Sequence, residues 1–146
     1  MKLNRLIAAA AVFAAIVSCS EAPSSAPAAE VAASGACIAT ANIRVTSGQD
    51  GYIVELVNLN TGQNYASGAL LWRLYYDSKA EKEIEICGDV QSPAVTAEGN
   101  VITISYDSLK VRDYAVDMAM TLKVILEDDK VRFASELSNN EAHTVI

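Results

Sequence analysis

The segment Leu70-Leu71-Trp72-Arg73-Leu74-Tyr75-Tyr76 concentrates side chains able to grip a ligand. In an extended backbone successive side chains alternate between faces, so Trp72, Leu74 and Tyr76 share one face while Arg73 and Tyr75 share the other. Flat aromatic rings stack on sugar rings and a guanidinium bonds hydroxyls, so these residue types point to carbohydrate. The only tryptophan of the chain belongs in a core more readily than on a surface. That leaves Arg73 and Tyr75 as the exposed contacts, with Trp72 behind them.

Other groupings carry less. A Ser-His-Asp arrangement would need His143, the only histidine, which sits in the last four residues of the sequence. Glu83 with Glu85 and Asp128 with Asp129 are paired carboxylates, and glycoside hydrolysis uses two carboxyls about 5–9.5 Å apart. Glu83 and Glu85, however, read as the solvated face opposite Ile84 and Ile86, and Asp128 and Asp129 read as turn residues. Neither pair lies in a loop with calcium-ligand spacing. Ser47-Gly48-Gln49-Asp50-Gly51 has two glycines but precedes a strand pattern, so it is a turn and not a phosphate loop. No metal or cofactor site is expected.

The first residues are an address. Lys2 and Arg5 precede an apolar run from Leu6 to Val17, too short for the roughly 17–25 residues of a permanent membrane span. Residues 1–18 therefore read as an export signal. The run ends in Ile16-Val17-Ser18-Cys19, which resembles the lipobox of bacterial lipoproteins; the alternative is an ordinary secretory signal. The resemblance implies cleavage before Cys19, a mature N-terminus carrying three acyl chains, and a stable anchor, since each buried methylene contributes about 0.8 kcal/mol. Ser20 is not the aspartate that retains lipoproteins in the inner membrane, so the outer membrane is the expected address.

Lys2 and Arg5 leave with the signal, so 11 basic residues fall to 9 against 18 acidic ones, a mature charge of −9. Such a surface repels phosphates, which argues against nucleic acid as a partner. The membrane link is the lipid. Of three cysteines, Cys37 and Cys87 remain after Cys19. In an oxidising compartment they are expected to form a disulfide, closing a loop of about 50 residues at about 4 kcal/mol; the alternative is two buried thiols.

Residues 20–35 hold two prolines, many small residues and one large aliphatic side chain. This composition predicts a tether covering residues 19–36 with Cys19 at its head, and a folded domain over 37–146. There the period is two. From Tyr114 to Leu126 the even positions Tyr114, Val116, Met118, Met120, Leu122, Val124 and Leu126 are apolar, which predicts a long half-buried strand. Glu127-Asp128-Asp129-Lys130 makes a turn, and Val131, Phe133, Ser135 and Leu137 alternate beyond it as the second arm of a hairpin. Further strands are expected over 38–46, 52–59, 70–76, 83–87 and 101–111. Residues 142–146 begin another, read either as a short edge strand or as one that continues beyond this sequence. The expected fold is an all-β antiparallel sandwich.

Four segments carry a family resemblance: Asn58-Leu59-Asn60-Thr61-Gly62-Gln63-Asn64-Tyr65, Leu71-Trp72-Arg73-Leu74, Ile102-Thr103-Ile104-Ser105-Tyr106 and Glu136-Leu137-Ser138-Asn139-Asn140. Together, from about Ile43 onward, they resemble the mutarotase-like β-supersandwich that precedes the catalytic barrel in some bacterial glycoside hydrolases. The resemblance implies an incomplete supersandwich, a non-catalytic support that contacts carbohydrate, and the N-terminal part of a glycosidase. No catalytic residue is implied.

The sequence thus predicts a lipid-anchored envelope module that handles glycans. The alternative is an envelope structural or protein-interaction lipoprotein that binds another protein through a sheet edge. Cys19→Ser is expected to move the protein from the membrane to the soluble fraction. Mass spectrometry of the parent should find acyl chains on Cys19 and nothing before it.

Overall fold

The computed structural model describes residues 28–32, 35–66, 71–77, 82–112, 114–141 and 144–145. The fold is all-β, antiparallel throughout and β-sandwich-like. One sheet takes β1 (Ala28–Ala32), β2 (Gly35–Ala39), β3 (Ile43–Gly48), β4 (Ile53–Asn58) and β5 (Gln63–Asn64) in that order. A smaller sheet holds β6 (Arg73–Asp77) between β7 (Ile84–Cys87) and β14 (Thr144–Val145). The third runs β8 (Ala94–Glu98), β9 (Val101–Tyr106), β12 (Met118–Glu127), β13 (Lys130–Asn139). Between β9 and β12 the chain makes a short ladder of β10 (Lys110–Val111) with β11 (Tyr114–Ala115).

The predicted period-two strand is β12, whose inner face buries Met118, Met120, Leu122, Val124 and Leu126. Each such side chain contributes about 1.5–3 kcal/mol when fully buried. They share one core with Ile102, Ile104 and Tyr106 of β9, Ile38 of β2, Val45 of β3, and Ile84 and Ile86 of β7. The expected strand from Tyr114 is interrupted: Val116 and Asp117 separate β11 from β12, and Tyr114 is exposed. The Asp128-Asp129 turn forms as predicted, with Glu127 opposite Lys130.

The expected single strand over 38–46 is two. Thr40 accounts for the break, because its hydroxyl accepts hydrogen bonds from the backbone N–H groups of Asn42 (3.3 Å) and Ile43 (3.2 Å) and folds the chain back. β2 and β3 then pair with Ile38 opposite Val45. Paired structure also starts ahead of the expected boundary at Cys37, since β1 pairs with β2 along its whole length. The expected signal, Cys19 and His143 lie outside the described residues.

The expected Cys37–Cys87 disulfide is not formed, and both residues are thiols. The strands explain this. Cys37 is buried in β2 opposite Thr46, whose hydroxyl lies 3.6 Å from its sulfur, whereas Cys87 ends β7 in a different sheet.

One glycine and one buried amide hold the ends together. Gly51 has φ +82°, and a Cβ there would stand 2.8 Å from the Tyr106 hydroxyl and 3.0 Å from Ile104. Gln91, buried after β7, donates through Nε2 to the Cys87 carbonyl (3.2 Å) and the Lys110 carbonyl (2.9 Å). Its Oε1 accepts from the Lys110 N–H (2.7 Å), so one side chain fastens β10 to the end of β7. Gln91→Ala would leave these groups without partners, at about 1–3 kcal/mol for each unsatisfied buried group. A denaturant midpoint lowered by about 2–4 kcal/mol of stability with an unchanged m-value is the expected outcome.

Candidate functional site

Leu71 and Trp72 lead into β6 and turn inward, packing with Leu74 against the core. Trp72 meets Tyr106 edge to face, with ring centroids 5.2 Å apart and planes at 75°. This arrangement suits aromatic quadrupoles and fixes the indole. Trp72 Nε1 is buried without a hydrogen-bond partner among the described residues. Beside the ring is a cavity of about 10 Å³, reached by Asp50, Tyr52 and Gly88. It has room for one water molecule and none for a ligand.

The larger opening lies on the other side of Trp72. Opposite the Leu71–Leu74 segment, β12 presents Met120 and Leu122, and β13 presents Phe133, Ser135 and Leu137. Register explains the grouping, because Phe133 faces Val124, Ser135 faces Leu122 and Leu137 faces Met120, so all point to the core side of the sheet. Among the described residues the opposing layer ends before β13. Phe133 therefore remains 53% exposed and Leu137 36% exposed, although both occupy positions that the alternation assigns to the interior. The result is a half-open apolar cleft of about 770 Å³ with Arg73 and Lys123 among its lining residues. That volume lies within the roughly 300–1,000 Å³ usual for ligand sites.

Arg73 and Tyr75 are brought together as the alternation predicts, both exposed on the same face of β6. The Tyr75 hydroxyl accepts a hydrogen bond from Arg73, and Glu85 of β7 lies 2.8 Å from Arg73 Nε; these two neighbours, Tyr75 first, raise the guanidinium pKa. Arg73 and Trp72 both line the cleft, while Tyr75 reaches it only through Arg73. Of the paired carboxylates, Glu85 is the ion partner of Arg73. Glu83 sits at φ +53° and its N–H donates to Asp77 Oδ1 at 2.9 Å. With Lys82 Nζ 2.7 Å from Oδ2, this bond keeps the Asp77 carboxyl below its ordinary range, Lys82 having the larger effect. Asp128 and Asp129 form the β12–β13 turn, where the Asp128 carbonyl accepts from the Thr40 hydroxyl at 3.2 Å. Neither carboxylate pair faces the cleft. Among the described residues no three His, Cys, Asp or Glu side chains converge as a metal site.

Phe133, Leu137, Met120 and Leu122 escaped the sequence reading as site residues. Their period-two positions are those of a core, and the local pattern carries no sign of where the covering layer stops.

Burial pushes the Tyr106 phenol above its ordinary 10.0, with the nearby Trp72 acting in the opposite sense. A raised folded value means that this group's contribution to stability is whole below pH 10.0 and is lost as pH rises through the folded value. Thermal midpoints should fall in that alkaline window, and Tyr106→Phe should remove part of the fall. Emission from Trp72 should be quenched over the same range in the parent and spared in the variant. No family model, curated protein or solved structure matches the chain, so its function is argued from the cleft and its residues.

Proposed function

We propose that the chain is a lipid-anchored, non-catalytic module of the bacterial cell envelope whose β-sandwich-like domain binds a neutral glycan along the cleft. The observation that carries this reading is the presence of an exposed Phe133 and a half-buried Trp72 on the walls of one open apolar groove. A pyranose ring has an apolar C–H face that stacks on such rings and an edge of hydroxyls. Arg73, Lys123 and Ser135 are the polar groups available to that edge. Among the described residues the cleft lining holds no carboxylate or imidazole. The acidic balance of the chain, −7 in full, favours uncharged polysaccharides over polyanionic ones.

The lipobox at Cys19 supports placement at the outer membrane, and the likeness to a supersandwich supports a role beside glycan breakdown. The alternative, an envelope lipoprotein that binds another protein through a sheet edge, draws on a different feature, the outer edge of β13.

Affinity electrophoresis through neutral polysaccharides tests the glycan reading. At least one should retard the protein. Phe133→Ala should weaken retardation about two- to tenfold, the scale of an aromatic contact of roughly 0.5–1.5 kcal/mol, and Arg73→Ala should weaken it less. Equal mobility in every neutral polysaccharide, or retardation indifferent to Phe133→Ala, would refute it.

A further inference from the structure

β13 is ten residues long and forms one edge of its sheet. It contains no proline, and its register against β12 runs without a bulge. Exposed edges of this length are templates for another strand, and proteins ordinarily blunt them with such devices. The opposite edge is different: β8 has five residues, follows Pro93 and has β1 and β2 packed beside it.

The parity of the β13 backbone can be read from one bond. Asn140 N–H donates to the Asp117 carbonyl at 2.9 Å, and the register makes these residues directly opposite. Hydrogen-bonded and non-hydrogen-bonded pairs alternate along an antiparallel ladder. Arg132, Ala134, Glu136 and Ser138 therefore bond to β12, while the N–H and C=O groups of Val131, Phe133, Ser135, Leu137 and Asn139 point away from it. Among the described residues no strand pairs with that side.

We infer that β13 pairs antiparallel with β13 of a second copy of the chain, about a two-fold axis at Ala134. A two-fold at Ala134 uses four of these five outward residues, and it is the register that also pairs the charges of the strand. Phe133 falls opposite the partner's Ser135 and Val131 opposite the partner's Leu137, giving roughly eight new backbone hydrogen bonds. On the other face Arg132 falls opposite the partner's Glu136, and symmetry repeats that pair. The same strand thus carries both halves of its own charge complement. Arg132 Nε lies 3.3 Å from Glu127 within the chain, which leaves the rest of the guanidinium to meet the second carboxylate. A two-fold at Phe133 would align only three outward residues, and one at Ser135, although it aligns all five, would place Arg132 opposite the partner's Ser138 with no charge pair. The chosen pairing joins two four-stranded sheets into one continuous sheet, with the two clefts side by side.

The inference is independent of glycan binding and is tested without any glycan. The full chain in mild detergent should sediment as a dimer. Ala134→Cys should give a disulfide-linked dimer on mild oxidation, because facing residues of a non-hydrogen-bonded pair stand about 4.5 Å apart between Cα atoms, within disulfide reach. Ser138→Cys, which meets the partner's Lys130 and not itself, should behave as the parent. Arg132→Glu should weaken association about tenfold through two like-charge pairs, and adding Glu136→Arg should restore it. A parent that stays monomeric at its highest soluble concentration, an uncrosslinked Ala134→Cys, or a double variant as weak as Arg132→Glu would each overturn the inference.

Discussion

β12 has two bonded neighbours and one face that water must not reach. Its inner face carries five large apolar side chains in unbroken alternation. No arrangement is stable until another layer lies over them, and the covering comes from two directions. Ile38 and Val45 approach from the first sheet, and Ile84 and Ile86 from the small one. Because these come from separate sheets, something must hold the small sheet to the third. The Trp72–Tyr106 contact does so with rings, and the Gln91 amide ties the small sheet to the β10–β11 ladder that connects β9 with β12, through bonds to Cys87 and Lys110. Polar and apolar devices here serve the same end.

The covering layer is narrower than the sheet it covers, and the candidate site follows from that mismatch. β9 and β12 are roofed, but β13 extends past the roof, so side chains patterned for an interior meet solvent. The cleft is thus the unfinished margin of the core. Its apolar walls come from residues that build the sheet, and among the described residues Arg73, Lys123 and Ser135 add polar character.

Much of this could be read in the residues. The β12–β13 hairpin was legible because the alternation of Met118 to Leu126 and the Glu127-Asp128-Asp129-Lys130 turn are both local signals. The faces of β6 and β7 were legible for the same reason, with Ile84 and Ile86 inward and Glu85, Arg73 and Tyr75 outward. Three features were not. The break at Thr40 depends on a hydroxyl folding back on its own backbone, and apolar patterning does not register it. The Cys37–Cys87 bridge was inferred from number and compartment, whereas its geometry depends on which sheet each strand joins. Of the cleft, Trp72 and Arg73 were recognised, while the β12 and β13 wall was not. That wall exists because of where a distant layer stops, and no window of neighbouring residues contains this fact.

The backbone parity of β13 has a consequence for how the strand meets water. Its peptide protons fall into two populations in strict succession along one stretch of chain: those of Arg132, Ala134 and Glu136 are locked into the ladder, and those of Val131, Phe133 and Leu137 face outward. In the monomer, hydrogen–deuterium exchange along this strand should therefore be a comb, slow and fast at alternate residues. Anything that seats itself along the edge fills in the fast teeth and leaves the slow ones unchanged, so the strand reports its own occupancy.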